Sequence, residues 1–174
     1  MTSTLDQSTK RKDDTMIQNL NFNGIPLLIN WVQGEGFGPE DAPKSAGIYA
    51  QIHWLDRAAR IGQSANIRNR VREATSWARG MHLGTRRASD LRRTSPICER
   101  VKATGSDGFA YFLISDDKRL VDRETRLACE AYLFGWFKAI SASDGWTDWN
   151  LERVQKKFRT AYDEALCEFQ LHPT

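Results

Sequence analysis

The chain has 174 residues, of which 40% are hydrophobic and 27% charged, and a formal net charge of +3. That length fits one domain with a sizeable core, and no apolar run approaches the length of a membrane span. The three cysteines, Cys98, Cys129 and Cys167, are too far apart for a Cys-x-x-Cys zinc site or a disulfide framework, which points to a reducing, cytoplasmic compartment.

Residues 1–15 are polar, carry the cluster Lys10-Arg11-Lys12, lack the apolar stretch of a secretory signal and read as a disordered basic tail. Residues 16–44 form a lead-in. Within it Leu27-Leu28-Ile29-Asn30-Trp31-Val32 is a strand or one buried helical turn, and residues 34–43, with three glycines and two prolines, read as a loop. Alternation follows: Ile48, Ala50, Ile52 and Trp54 point to a core, while Gly47, Tyr49, Gln51 and His53 point the other way. The short turn Leu55-Asp56-Arg57 predicts a hairpin with a second strand through Arg60, so that Tyr49 and Arg60 share the outward face. Ser64 is a candidate N-cap for a helix whose apolar stripe is Ile67, Val71, Ala74 and Trp77 or Ala78. Arg70 lies about 100° from Val71, at the edge of that stripe, from where it reaches over the hairpin. A second helix is expected from Ser89 to Val101, a strand over Phe109-Ala110-Tyr111-Phe112-Leu113-Ile114, a helix from about Val121 to Ala139 and a terminal helix over residues 151–174, opened near Asn150 and packed on the core. The order predicts an α+β fold: a small three-stranded antiparallel sheet flanked by helices, with a C-terminal helix.

Ser45-Ala46-Gly47-Ile48-Tyr49, followed by Arg60-Ile61-Gly62-Gln63-Ser64 and by Arg70 eight residues after Gly62, resembles the paired signature of the GIY-YIG nuclease superfamily over residues 45–150. The second tripeptide departs from the pattern, with Arg60 in place of its tyrosine, and Ala74 stands where the family commonly has a histidine. The resemblance implies the fold just described and a reaction, hydrolysis of a phosphodiester with one divalent metal.

Such a cut needs a group that deprotonates water, cations that neutralise the phosphoryl oxygens and a ligand for the metal. The resemblance assigns the first role to Tyr49. A phenol with an unperturbed pKa of about 10 is a weak base at neutral pH, and a field from Arg60 and Arg70 favours the phenolate. Arg70 is implied as the ligand of the scissile phosphate. For the metal, Mg²⁺ with Mn²⁺ as a substitute, Glu130 is the first candidate, because it interrupts apolar neighbours on its helix. Glu124 is the alternative. His82, in Gly80-Met81-His82-Leu83-Gly84, resembles a second histidine segment of the family and is the candidate proton shuttle. His53 shares a strand face with Tyr49 but lies about 13 Å along the strand, too far for contact. Asn150 either closes the family's core or caps the last helix.

Between Arg57 and Lys102 twelve basic residues face only Glu73, Asp90 and Glu99, a local excess of nine. Arg68, Arg72, Arg86, Arg87, Arg92 and Arg93 are the candidate phosphate contacts, since guanidinium suits bidentate recognition. The expected partner is DNA, with RNA open, and a homodimer if both strands are cut. A protein that keeps the fold and binds nucleic acid without cutting it is the rival reading, motivated by Arg60 and Ala74. With no second domain after the core, specificity would fall to the lead-in, the segment 86–102 and the terminal helix.

Overall fold

The computed structural model describes residues 15–89, 92–93, 95–150 and 154–171. The expected tail lies outside these residues except for Thr15, which already belongs to a strand. The lead-in is a hairpin of β1 (Thr15–Phe22) and β2 (Ile25–Val32), paired antiparallel from Thr15↔Val32 to Phe22↔Ile25. Asn23 and Gly24 form its turn with φ of 51° and 81°. An Asn-Gly pair with both φ positive matches the right-handed twist of the flanking strands. Of the two readings left open for residues 27–32, the strand is therefore the one observed. Its alternation is clean: Ile25, Leu27, Ile29 and Trp31 are buried, while Pro26, Leu28 and Asn30 are exposed.

Among the described residues the main sheet has four strands, not the expected three, in the order β5-β3-β4-β6. β3 (Gly47–His53) is flanked by antiparallel β4 (Ala58–Ser64) and β5 (Phe109–Ser115). The fourth strand, β6 (Thr147–Asp148), runs parallel to β4 and is two residues long. It is held by Thr147 N–H donating to the Arg57 carbonyl at 2.7 Å and Trp149 N–H donating to that of Ala59 at 2.9 Å. The aromatic Trp146 anchors this stretch. It is buried edge-on against Trp31 (5.7 Å) and Trp54 (5.6 Å), and such pairs add about 0.5–1.5 kcal/mol each beyond area burial.

Helices cover both faces of the sheet. On one side lie α1 (Ile67–His82) and α2 (Pro96–Thr104). On the other, α3 (Arg123–Ile140) packs Cys129, Leu133 and Phe137 with Ile48, Ala50, Ile52 and Ile61, and with the buried face of β2. The N-cap of α1 is Asn66, whose side chain accepts from Asn69 N–H at 3.0 Å. Ser64, the expected cap, instead holds Asn66 through its hydroxyl. Asp122 caps α3 and accepts from Thr125 N–H at 2.7 Å, and these donors hold its carboxyl below the ordinary carboxylate range. The last helix, α4 (Arg159–Leu171), starts later than expected and lies along α3. Gly135 permits the approach, because a Cβ there would sit 2.1 Å from the Tyr162 carbonyl oxygen. No helix among the described residues is long and apolar enough to cross a membrane.

Candidate active site

The two tripeptides are one packing unit. Tyr49 stands directly opposite Gly62 in the β3–β4 ladder, and its ring lies over that glycine. A Cβ on Gly62 would meet Tyr49 Cζ and Oη at 2.8 Å. Gly47 is constrained from the other neighbouring strand, where a Cβ would meet the Ser115 carbonyl at 2.4 Å and Ile67 Cδ1 at 3.0 Å. Each glycine thus leaves room for a neighbour across the sheet. Tyr49 and Arg60 share a face, as expected, but it is not open to solvent. α1 and α2 cover it, Tyr49 is only 4% exposed, and every residue of β3 is buried.

Helix α1 presents Arg70 to this face. Arg70, Glu73, Ala74 and Trp77 line the same cavity as Tyr49 and Arg60. Glu73 Oε2 lies 3.6 Å from Arg70 Nη1. Arg68 and Arg72 point elsewhere, about 200° and 160° around the helix from Arg70. Arg68 Nε donates to the Ala42 carbonyl at 2.7 Å, and Arg72 Nη2 pairs with Glu40 at 2.6 Å. Both fasten α1 to the loop before β3. The basic segment is therefore partitioned. Arg100 clamps Asp56, Lys102 pairs with Glu99 and Arg57 lies over the Trp146 ring. Arg60, Arg70, Arg86 and Arg92 face the cavity. Arg87 and Arg93 are exposed on the segment between α1 and α2.

The cavity measures about 930 Å³. Its wall contains residues that sequence reasoning did not select: Gln51, Trp77, Trp149 and Glu73. Behind Tyr49 stands Tyr111, with ring centroids 6.3 Å apart. Gln51 Nε2 donates to Tyr111 Oη at 3.3 Å. Burial, and then the neighbouring Tyr49, push the Tyr111 phenol well above its ordinary value, so it stays protonated. The strand alternation had already placed Gln51 on the face of Tyr49, and Trp77 lies seven residues after Arg70, two turns along one helix face. Those signals were present. The approach of Tyr111 and Trp149 is a long-range pairing without a local signature.

The expected metal ligands are not part of this wall. Glu130 is half-buried on α3, which packs on the opposite face of the sheet from Tyr49. Glu124 is exposed and paired with Lys157. Among the described residues no three His, Cys, Asp or Glu side chains converge, and the only carboxylate on the cavity wall is Glu73, already beside Arg70. The residues of the cavity do not fit a divalent-metal centre. His82 is exposed at the end of α1, with Nδ1 3.0 Å from the Lys102 carbonyl oxygen, and does not line the cavity. Among the described residues Asn150 caps no helix. Its Oδ1 accepts from Ile61 N–H at 2.7 Å, closing the edge of β4 beyond β6.

His53 belongs to a separate cluster. Its Nδ1 is 3.0 Å from Asp56 Oδ2, and Arg100 holds the same carboxylate. The ring is 1% exposed, stacks on Trp149 at 5.8 Å, and its Nε2 has no hydrogen-bond partner among the described residues. Burial lowers its pKa, against the pull of Asp56. The cluster pins the β3–β4 turn to α2. Compared with family models, curated proteins and solved structures, the chain matches none.

Proposed function

We propose that this chain is an endonuclease of the GIY-YIG type that hydrolyses DNA phosphodiester bonds in the cavity between the sheet and α1. One observation carries this reading. Tyr49, Arg60 and Arg70 come from three different elements and line one cavity, at the positions that the two-tripeptide pattern makes chemical. Tyr49, as its phenolate, orients the attacking water and takes its proton as the water oxygen bonds to phosphorus, while the P–O bond to the leaving strand breaks and that oxygen takes up a proton from solvent. The guanidiniums of Arg70 and Arg60 bind the phosphate and neutralise the charge that builds on its non-bridging oxygens. Arg60 in this role replaces the second tyrosine by a cation. The resemblance gives a divalent ion to Glu130 or Glu124. Neither lines the cavity, and the roles above rest on Tyr49, Arg60 and Arg70 alone. Cutting two strands would take two copies of the chain.

A second reading is favoured by specific residues. Arg60 and Ala74 stand in or beside the cavity where the pattern has tyrosine and histidine, and the candidate metal carboxylates lie off its wall. These suit a protein that binds nucleic acid without cutting it. One experiment separates the two: labelled single-stranded, duplex and branched DNA incubated with Mg²⁺, with Mn²⁺ and with chelator. Cleavage products on any of these substrates support the enzyme. Retained binding with no product at high protein concentration supports the binding module.

A further inference from the structure

The cavity extends well beyond the residues given a role above. From Arg70 to Trp77 it follows α1 for about 10 Å. Along the sheet its wall runs from Tyr49 through Gln51 to Trp149, which stacks on His53. The two ends differ in chemistry. Tyr49, Arg60 and Arg70 make the near end polar and cationic. Trp77, Trp149, Ile97 and Val101 make the far end aromatic and apolar. Trp77 is half-buried, and the Arg92 guanidinium lies over its ring, 5.9 Å from the centroid.

We propose that this far end is a stacking pocket for an unstacked nucleobase, so that the nucleic acid taken is single-stranded or has a base displaced from its duplex. The inference rests on the reading that the cationic end holds a phosphodiester. Three features point to it. A volume of about 930 Å³ is the size of a pocket that encloses a small ligand, and a stacked duplex offers only base edges to it. The half-buried Trp77 indole stacks on a partner with an open π face, which a base presents only when it leaves the stack, while Trp149, 6% exposed and stacked on His53, lines the pocket without offering a free face. The distance from Arg70 to Trp77 is within reach of the nucleotides next to the bound phosphate. Arg86 and Arg92 flank the aromatic end and would track the backbone there. Recognition by stacking tolerates any base, so the pocket selects strand state and not sequence.

The test uses the whole chain with chelator present, so that no cleavage is required. Binding of a labelled single-stranded oligonucleotide is compared by anisotropy with binding of an abasic oligonucleotide of the same length and charge. The expected result is an affinity for the abasic strand lower by roughly ten- to a hundred-fold, with the same salt dependence and with tryptophan quenching by the normal strand only. Trp77→Ala is expected to remove the preference, and Trp77→Phe to restore most of it. The comparison on the unaltered protein stands even if Trp77→Ala fails to fold. Equal affinity for the two strands, a preference for duplex, or no binding to either strand at low salt would overturn the proposal. Cleavage with Mg²⁺ or Mn²⁺ but no base-dependent binding defeats the stacking pocket and leaves the nuclease standing. Base-dependent binding without cleavage does the reverse.

Discussion

Gly62→Ala probes the geometry that joins the two halves of the motif. Gly62 has no positive φ, so alanine is tolerated by the backbone there, and strand alanine is favoured over glycine by about 0.5–1 kcal/mol. The nearest obstacle is the Tyr49 ring, whose Cζ and Oη would lie 2.8 Å and Cε1 3.2 Å from the new methyl. The ring cannot simply swing away, because it is 4% exposed and backed by Tyr111. Overpacking of this kind costs roughly 1–3 kcal/mol, or about 2–4 °C in Tm per kcal/mol for a chain of this size. In a Tyr49→Ala background the clash is gone, and Gly62→Ala is expected to be neutral or stabilising by up to about 1 kcal/mol. The coupling energy of the cycle should therefore reach roughly 1–3 kcal/mol, because the propensity gain is common to both backgrounds and cancels; it is measured from urea unfolding of the four proteins. If Gly62→Ala has the same effect in both backgrounds, the ring does not rest on this glycine and the packing unit described here is wrong.

Gly135→Ala should destabilise more than Gly62→Ala and expose α4 to limited proteolysis, because the methyl meets a backbone carbonyl at 2.1 Å and not a side chain. Four cavity arginines correspond to a slope of log affinity against log salt near −3 for a single strand, from about −0.7 per phosphate neutralised. Replacing Arg86 and Arg92 together should reduce it by about 1.4, whereas Arg68→Ala and Arg72→Ala, whose partners are Ala42 and Glu40, should leave it unchanged. His53 carries a pKa below 6.5 in the folded state, so the unfolded chain binds more protons and stability rises with pH. The urea midpoint should fall as pH drops from 6.5 toward the folded value, and His53→Gln should flatten that part of the profile. Glu130→Ala and Glu124→Ala are both expected to leave cleavage intact, because neither carboxylate lines the cavity; loss of cleavage in either would show that α3 contributes to the site.

What the sequence made legible was local. The β3–β4 hairpin and α1 followed from alternation and from the 3.6-residue period, and with them the shared face of Tyr49 and Arg60. The lead-in hairpin was equally local, marked by Asn23-Gly24 and the alternation of Leu27, Ile29 and Trp31, but Leu28 makes the run apolar enough to fit one buried helical turn as well. β6 was not legible, because two residues have no period and their pairing with β4 depends on where Trp146 is buried. The start of α4 was misplaced because Asn150 has the chemistry of a cap, while a β4 edge amide competes for the same oxygen. Composition flagged the arginines as one basic segment, but only their places around α1 and their partners separate Arg68 and Arg72 from Arg70. The aromatic end of the cavity joins Trp77 to Trp149 across 72 positions of numbering, beyond the reach of any window.

Tyr49 and Arg70 are proposed to act on a phosphodiester within one cavity. Parallel cleavage and binding measurements on Tyr49→Phe test it most directly, because that change removes one oxygen and leaves the basic wall intact. The expected result is nicking by the unaltered chain, lost in Tyr49→Phe and in Arg70→Ala, with binding kept in Tyr49→Phe. Undiminished nicking by Tyr49→Phe, or nicking that survives Arg70→Ala, would place the chemistry elsewhere and contradict the account.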